Sequence, residues 1–342
     1  MKALFFTASK CYEIRDIAKP EIKRDDEVLV RVDAASICGT DIHILTEDNG
    51  AGMATPGMIL GHEACGTVEE IGTGVNSLRP GDKVVFDPML PCGECFMCRH
   101  GEQSLCSNLK IRGCMGGADG FFREYVVVRS AELIKTAPEL PCEMAVFAEP
   151  VNCVLNAVDK VRALPGENVL ILGSGPIGLY FMQLLKKNGA GRVMVSEISE
   201  YRKKYAEELG ADMIIDPSKQ SLIETVKKEC EGVGPDIVID AVGCLANDAI
   251  KAVRPGGRVV LFGQNWSATE TICQNDITQN SLTVYGSFCG KFTFKHAVNL
   301  LESGLIDFTK MITHRISLDE IQTGIDAMKE GETLEVVVYP NL

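Results

Sequence analysis

Four cysteines, Cys92, Cys95, Cys98 and Cys106, stand in the spacing C-x2-C-x2-C-x7-C, dense enough for four thiolates to close a tetrahedral zinc site unaided. An iron–sulfur cluster is the rival. The bacterial ferredoxin run, however, places its fourth Cys after three residues and follows it with Pro, whereas here seven intervene and Ser107 follows. Zinc is preferred, and a closed all-thiolate site has no open position, so its work is to hold chain. The segment it would hold, from Gly81-Asp82 to Gly120, is rich in Cys and Gly and has little periodicity. A second constellation is dispersed over Cys38-Gly39-Thr40-Asp41-Ile42-His43, Gly61-His62-Glu63 and Glu149-Pro150. Each part alone has an ordinary reading: a small buried thiol, a satisfied imidazole beside a strand, a helix-entry carboxylate. Together, one thiolate, one imidazole and one or two carboxylates leave zinc an exchangeable position, which polarising an alcohol or carbonyl oxygen requires.

A third candidate site lies further along. The apolar run Val169 to Leu172 leads into Gly173-Ser174-Gly175-Pro176-Ile177-Gly178 and then the helical stretch Leu179 to Lys187. This is GxGxxG in the context it needs: a glycine for the tight turn, one for close approach to a pyrophosphate and one for helix packing, with helix N–H donors aimed at the anion. Pro176 suits the first turn, where no N–H partner is required. Glu197, 19 residues beyond Gly178 at the end of the run Val193 to Val195, is placed to accept ribose hydroxyls and repel a 2′-phosphate, favouring NAD over NADP. Arg202 reads as an adenine-side or surface contact. The strand ends Ala241-Val242-Gly243 and Phe262-Gly263 fall where the carboxyl edge of such a sheet meets its ligand.

These residues need a scaffold, and the pattern supplies two kinds. Up to about residue 150, short β-type runs (Glu27 to Val32, Ala64 to Ile71, Lys83 to Phe86, Tyr125 to Val128) are separated by turn residues. From about 165 apolar runs alternate with helical segments, at Val169, Val193, Met213, Ile237, Val259 and Leu282, which describes a parallel sheet wrapped by crossover helices. After Gly290 helical periodicity returns (His296 to Leu301, Ile321 to Met328), and Leu334 to Tyr339 reads as a strand that rejoins the first domain. With 342 residues, a prior of two domains follows. Lys plus Arg number 34 against 47 Asp plus Glu, a net charge of −13, which works against a nucleic-acid partner. No apolar run is long enough for a membrane span, and the N-terminus lacks a secretory h-region, so a cytoplasmic protein is expected. In that setting the nine remaining cysteines read as buried fillers or free thiols rather than disulfides.

Cys38-Gly39-Thr40-Asp41, Gly61-His62-Glu63, the four clustered cysteines and the later glycine loop come in an order that resembles the zinc-containing medium-chain alcohol dehydrogenase superfamily, over essentially the whole chain. The likeness is nearest to the sorbitol (polyol) and L-threonine dehydrogenase branches, because Glu149-Pro150 stands where liver-type alcohol dehydrogenases have Cys; Cys153 is close by but out of register. The resemblance implies an α/β chain, with a Rossmann doubly wound parallel sheet over 153–289 inserted in a GroES-like β-rich catalytic domain over 1–152 and 290–342. The structural-zinc lobe would span about 88–112. It implies two zinc ions per chain: Cys92, Cys95, Cys98 and Cys106 hold one, Cys38 and His62 hold the other, and Glu63 and Glu149 alternate between ligation and holding its water. It further implies that Thr40 and His43 form a proton relay through the cofactor ribose. The resemblance implies as well that subunits pair through the edges of their cofactor sheets into a homodimer or homotetramer.

The expected reaction is hydride transfer between NAD(H) and a secondary alcohol or ketone. A polyol or sugar alcohol, free or phosphorylated, ranks first, then L-threonine, then a simple diol or alcohol. A non-catalytic zinc- and NAD-binding regulator predicts a missing ligand, whereas Cys38, His62, Glu63 and Glu149 are all present. One departure bears on substrate. Cys289 stands where sorbitol dehydrogenases have a substrate-binding arginine, followed by Gly290 and Lys291. A thiol offers no forked donors, so an anionic substrate is expected only if Lys291 reaches it; otherwise a neutral diol or polyol is.

Overall fold

Unbroken apolar runs make strands buried on both faces, which only a sheet covered by helices on each side accommodates. The computed structural model, which describes residues 1–8, 10–46 and 53–342, builds such a sheet in one of two compact units, Cys153–Gly290. Its six parallel strands lie in the spatial order Met213–Ile215, Arg192–Ser196, Asn168–Leu172, Ile237–Asp240, Arg258–Leu261, Thr283–Gly286. The chain starts at Asn168–Leu172, builds three strands to one side and then returns to build the other three. That leaves a switch point at the carboxyl ends of Asn168–Leu172 and Ile237–Asp240, the place such sheets bind ligands. Leu170, Met194, Val238 and Val259 are fully buried in this unit's core. Helix Pro176–Lys187 starts at the proline rather than at Leu179, with Gly175 as its N-cap, because a proline ring is already set for the first turn.

The other unit is Met1–Asn152 with Lys291–Leu342. Its main sheet runs Ile312–Ser317, Glu335–Tyr339, Glu27–Ser36, Glu63–Ile71, Lys83–Phe86, Leu133–Lys135, and Tyr125–Arg129 also pairs with Glu27–Ser36. The C-terminal strand Glu335–Tyr339 pairs antiparallel with Glu27–Ser36 through Val337 and Val338, so the tail does return to the first half of the chain. Val30, Val32, Ala64, Phe86, Phe121 and Val336 fill the core between strands and helices. Among the features the sequence pattern missed are the hairpin of Lys2–Ala8 with Cys11–Asp16 and the strands Leu133–Lys135 and Ile312–Ser317. The second hairpin strand, CYEIRD, has no buried residue, so it carries no apolar run to read. Between Gly81 and Gly120 the described elements are short: a two-residue pairing of Met89–Leu90 with Lys110–Ile111, the single turn Phe96–Arg99 and the 3-10 turn Gln103–Leu105. No helix among the described residues is long and apolar enough to cross a membrane, and the cysteines there are all free thiols.

Candidate active site

In the lobe, Cys92, Cys95, Cys98 and Cys106 place their sulfurs within 4.8 Å of one another. Backbone N–H groups point at those sulfurs: Cys92 at Cys106 (3.3 Å), Cys95 at Cys92 (3.4 Å), Cys98 at Cys95 (3.5 Å) and Asn108 at Cys106 (3.3 Å). Donors of this kind stabilise thiolates over thiols. Accordingly, the N–H groups of Cys98 and Ser107 hold the Cys95 thiol well below its ordinary range. Four sulfurs at this separation, three of them accepting backbone N–H groups, fit a tetrahedral dication.

The second group also assembles. Cys38 follows the strand Glu27–Ser36, and His62-Glu63 opens the neighbouring antiparallel strand Glu63–Ile71, with Ser36 directly opposite Glu63. Cys38 Sγ, a ring nitrogen of His62 and a carboxylate oxygen of Glu63 lie within 4.8 Å of one another. Gly61 makes that approach possible: it sits at φ +88°, and a Cβ there would fall 2.7 Å from the Phe122 ring. His62 and Glu63 are buried. Burial pushes the Cys38 thiol up to about 12, with Glu63 adding to it. Burial likewise raises the Glu63 carboxyl to about 7, His62 opposing and Glu149 adding. Burial by itself lowers an imidazole, but Asp41 and Cys38 outweigh it and hold His62 well above its ordinary range. A half-buried thiol and a buried carboxyl beside one imidazole form a donor set whose charges a divalent cation would balance. Two buried atoms of this group make no hydrogen bond, Asp41 Oδ1 and His62 Nδ1, and they face each other at 3.6 Å. The donor set and these two atoms fit a zinc ligand with its orienting carboxylate.

Glu149, half-buried in the first turn of helix Ala148–Val161, lies outside the 4.8 Å group, close enough for its charge to act on Glu63. Thr40 and His43 are both half-buried on helix Gly39–Thr46, three residues apart and so on one face. Two supporting residues had no sequence signal of their own. Asp41, fully buried, accepts the Cys38 N–H at 3.0 Å, and fully buried Ser36 donates its hydroxyl to Glu63 Oε2. Lys291 is engaged elsewhere: its ammonium pairs with Glu102, a residue of the four-cysteine lobe.

In the other unit, Gly173, Ser174, Gly175, Pro176, Ile177 and Gly178 form the turn from strand Asn168–Leu172 into helix Pro176–Lys187. The loop is tight. A Cβ on Gly178 would lie 2.0 Å from the Gly173 carbonyl oxygen, whereas one on Gly175 would meet only Arg202 Nη1, at 3.7 Å. That leaves the Gly175 backbone approachable beside a guanidinium whose buried Nε makes no hydrogen bond, a setting that fits a pyrophosphate. Glu197 is buried and its carboxylate accepts from Ser174 N–H (2.8 Å), Ser174 Oγ (3.1 Å), Ile198 N–H (2.8 Å) and Ser199 N–H (2.9 Å). Asp240 fixes the Ala241-Val242-Gly243 turn by accepting from Val242, Gly243 and Leu245 N–H at 2.9, 2.8 and 3.0 Å. Gly243 packs backbone to backbone on Gly263, and the Phe262 ring stands edge-on to Phe181 at 5.0 Å. All of these residues lie at or beyond the carboxyl ends of the parallel strands.

Residues 24–139 match the model of the alcohol dehydrogenase GroES-like domain, and residues 176–303 match that of zinc-binding dehydrogenases. The chain is 37% identical over 331 residues to an L-threonine 3-dehydrogenase of Pyrococcus abyssi, covering 94% of this chain and 92% of that one. It is 34% identical over 347 residues to D-arabinitol dehydrogenase 1 of Uromyces fabae, covering 100% and 97%. A Sinorhizobium meliloti protein whose crystal structure holds NADP superposes with a TM-score of 0.93 at 34% identity, over 99% of each chain.

Proposed function

The chain belongs to the zinc-containing medium-chain alcohol dehydrogenase superfamily, and from that premise we propose that it transfers a hydride between NAD(H) and a neutral secondary alcohol of the polyol or diol class. When bound, zinc supplies the Lewis acidity that lowers the pKa of a substrate hydroxyl, and the nicotinamide supplies the hydride acceptor. Cys38, His62 and Glu63 would hold that zinc, with Glu149 near enough to exchange for Glu63. Asp41 keeps the His62 ring oriented through its carboxylate. The Thr40 hydroxyl takes the proton the substrate loses, and His43, one turn along the same helix, passes it toward solvent. Cys92, Cys95, Cys98 and Cys106 would hold a second zinc that orders the lobe. Gly173, Gly175 and Gly178 would receive the pyrophosphate of the dinucleotide, and the charge of Glu197 favours NAD over NADP.

The observation that carries the substrate reading is the Lys291–Glu102 pair. With Cys289 in place of a cation, the Lys291 ammonium is neutralised by Glu102 rather than left free for a carboxylate or phosphate on the substrate. L-threonine is the second reading, supported by the identity to L-threonine 3-dehydrogenases. Comparing kcat/KM for sorbitol, a sugar-alcohol phosphate, L-threonine and 2,3-butanediol, with NAD and with NADP, in wild type and Lys291→Ala, decides between them. Neutral substrates should lead and should survive Lys291→Ala. A dominant L-threonine or phosphate activity that collapses in Lys291→Ala would overturn the neutral reading.

The partner surface is proposed on the edge strand Thr283–Gly286. It pairs on one side only and exposes Val284, leaving backbone groups for a second copy. Light scattering that gives a monomer would reject the expected homodimer or homotetramer.

A further inference from the structure

Of the three donors that come together around Cys38, two share one orienting group. The Asp41 carboxylate accepts the Cys38 N–H at 3.0 Å and stands 3.6 Å from His62 Nδ1. Glu63 has no part in that arrangement. Among the described residues, the hydroxyl of Ser36 is the one hydrogen-bond donor to the Glu63 carboxylate, which it meets at Oε2. Strand register puts it there. Ser36 ends the strand Glu27–Ser36, Glu63 opens the strand Glu63–Ile71, and the two are directly opposite in the antiparallel pair. Side chains so placed share one face of the sheet with Cβ atoms about 4.5–5.5 Å apart, within reach of a short hydroxyl, and a slip of one residue would break the match. The same register carries the other two donors, since His62 immediately precedes Glu63 and Cys38 follows Ser36 by two residues. Ser36 is 0% and Glu63 3% exposed, so water has little access to replace the hydroxyl. The ladder is made of backbone groups, so nothing about the strand pairing itself asks for a hydroxyl at position 36.

We infer that Ser36 is a positioning residue for the metal: its hydroxyl pins one oxygen of Glu63, so that the carboxylate is held in place beside Cys38 and His62 and cannot swing away without giving up this hydrogen bond. A ligand whose other contacts are already fixed has less freedom to lose when a metal binds, which is why partners of ligating side chains act on affinity. Glu149, on helix Ala148–Val161 and outside the group of three, receives no hydrogen bond from Ser36. The inference rests on the metal reading of Cys38, His62 and Glu63 and concerns what makes Glu63 a competent ligand.

The test is competition for zinc between the purified holoenzyme and a chelating dye, read as zinc released, with the all-thiolate lobe, whose metal is coupled to local folding, as the baseline. Ser36→Ala should loosen the other zinc by about tenfold or more. Ser36→Thr keeps the hydroxyl at a strand position that suits a β-branched side chain, and should stay within about threefold of wild type. Packing alone predicts the reverse order, because Thr adds a methyl to a fully buried position and Ala adds nothing. In a Glu63→Ala background, adding Ser36→Ala should change zinc release by less than about threefold, whereas in Glu149→Gln the tenfold loss should remain in full. Ser36→Ala that holds zinc within threefold of wild type, Ser36→Thr that releases it more readily than Ser36→Ala, or a tenfold loss that persists in Glu63→Ala overturns the inference while leaving the metal site in place. Wild type that holds the lobe zinc alone overturns the metal reading and the inference with it.

Discussion

Two glycines of one loop should fail in opposite ways when given the same methyl group. At Gly178 a Cβ would stand 2.0 Å from the Gly173 carbonyl oxygen and 3.5 Å from Ile171 Cγ2. Ordinary contact begins near 3.5 Å, so Gly178→Ala must push the helix from the strand by roughly an ångström or more. Overpacking of this size against backbone costs about 1–3 kcal/mol, which in a domain of this size lowers Tm by roughly 2–4 °C per kcal/mol. At Gly175 the backbone has φ −65° and the nearest atom to a Cβ is Arg202 Nη1 at 3.7 Å, so Gly175→Ala fits the free protein and should leave Tm within about 1 °C. Its cost appears only when a pyrophosphate must come up to that backbone, where the methyl stands in the way. NADH affinity should then fall by about tenfold or more, the equivalent of about 1.4 kcal/mol. Thermal unfolding of both variants without ligand, with NADH titrations of each, separates the two effects. A Gly175→Ala protein as destabilised as Gly178→Ala, or one that binds NADH like wild type, would refute this account of the loop.

Cys38→Ala is expected to remove one of two zinc ions per chain by elemental analysis and abolish turnover, while NADH affinity stays within about twofold because zinc and pyrophosphate are held in different units; full activity in this variant would reject the assignment. Mild chelation should strip the carboxylate-containing site and spare the all-thiolate lobe, whose metal is coupled to local folding, and iron with a visible charge-transfer band would contradict both assignments. Glu143 is held down to about 2 by Arg315, which it binds through both oxygens at 2.8 and 3.0 Å, and by Tyr339. A depressed carboxyl stabilises above its unfolded pKa near 4.5 and loses that stabilisation as pH falls toward about 2. The pair is partly exposed, so Glu143→Gln should cost about 1 kcal/mol or less at pH 7 and flatten the acid side of the stability curve. Urea midpoints at pH 7 and pH 3 check this, and an equal deficit at both would contradict it.

How much of this could be read from residues alone follows from the range over which each interaction acts. The four-cysteine lobe was legible because all its ligands sit in one short segment, where chain geometry nearly dictates a shared metal. The dinucleotide loop was legible for the same reason, since strand, glycines and helix N-terminus are contiguous. The parallel sheet announced itself through unbroken apolar runs, but the strand Cys11–Asp16 did not, because none of its residues is fully buried and only Tyr12 and Ile14 lean on the core. For Cys38, His62, Glu63 and Glu149 the sequence showed only donor types that suit zinc. That three of them converge while Glu149 stands outside the group is the work of two antiparallel strands in one register and of a glycine that makes room against Phe122.

Asp41, read only as part of a motif, and Ser36 gave no sign of their roles, because an orienting carboxylate or hydroxyl is defined by what it faces. An acid at position 197 could be anticipated from its distance to the glycine loop, but its four donors could not. Lys291 is the plainest case. As a residue it was a candidate cation for the substrate, and only packing paired it with a carboxylate 189 positions away. The sequence by itself determined the chemistry on hand and every clustering of groups whose parts are neighbours along the chain. The tertiary structure decided which charges are already spent on one another, because long-range pairing depends on which surfaces the packed core brings face to face.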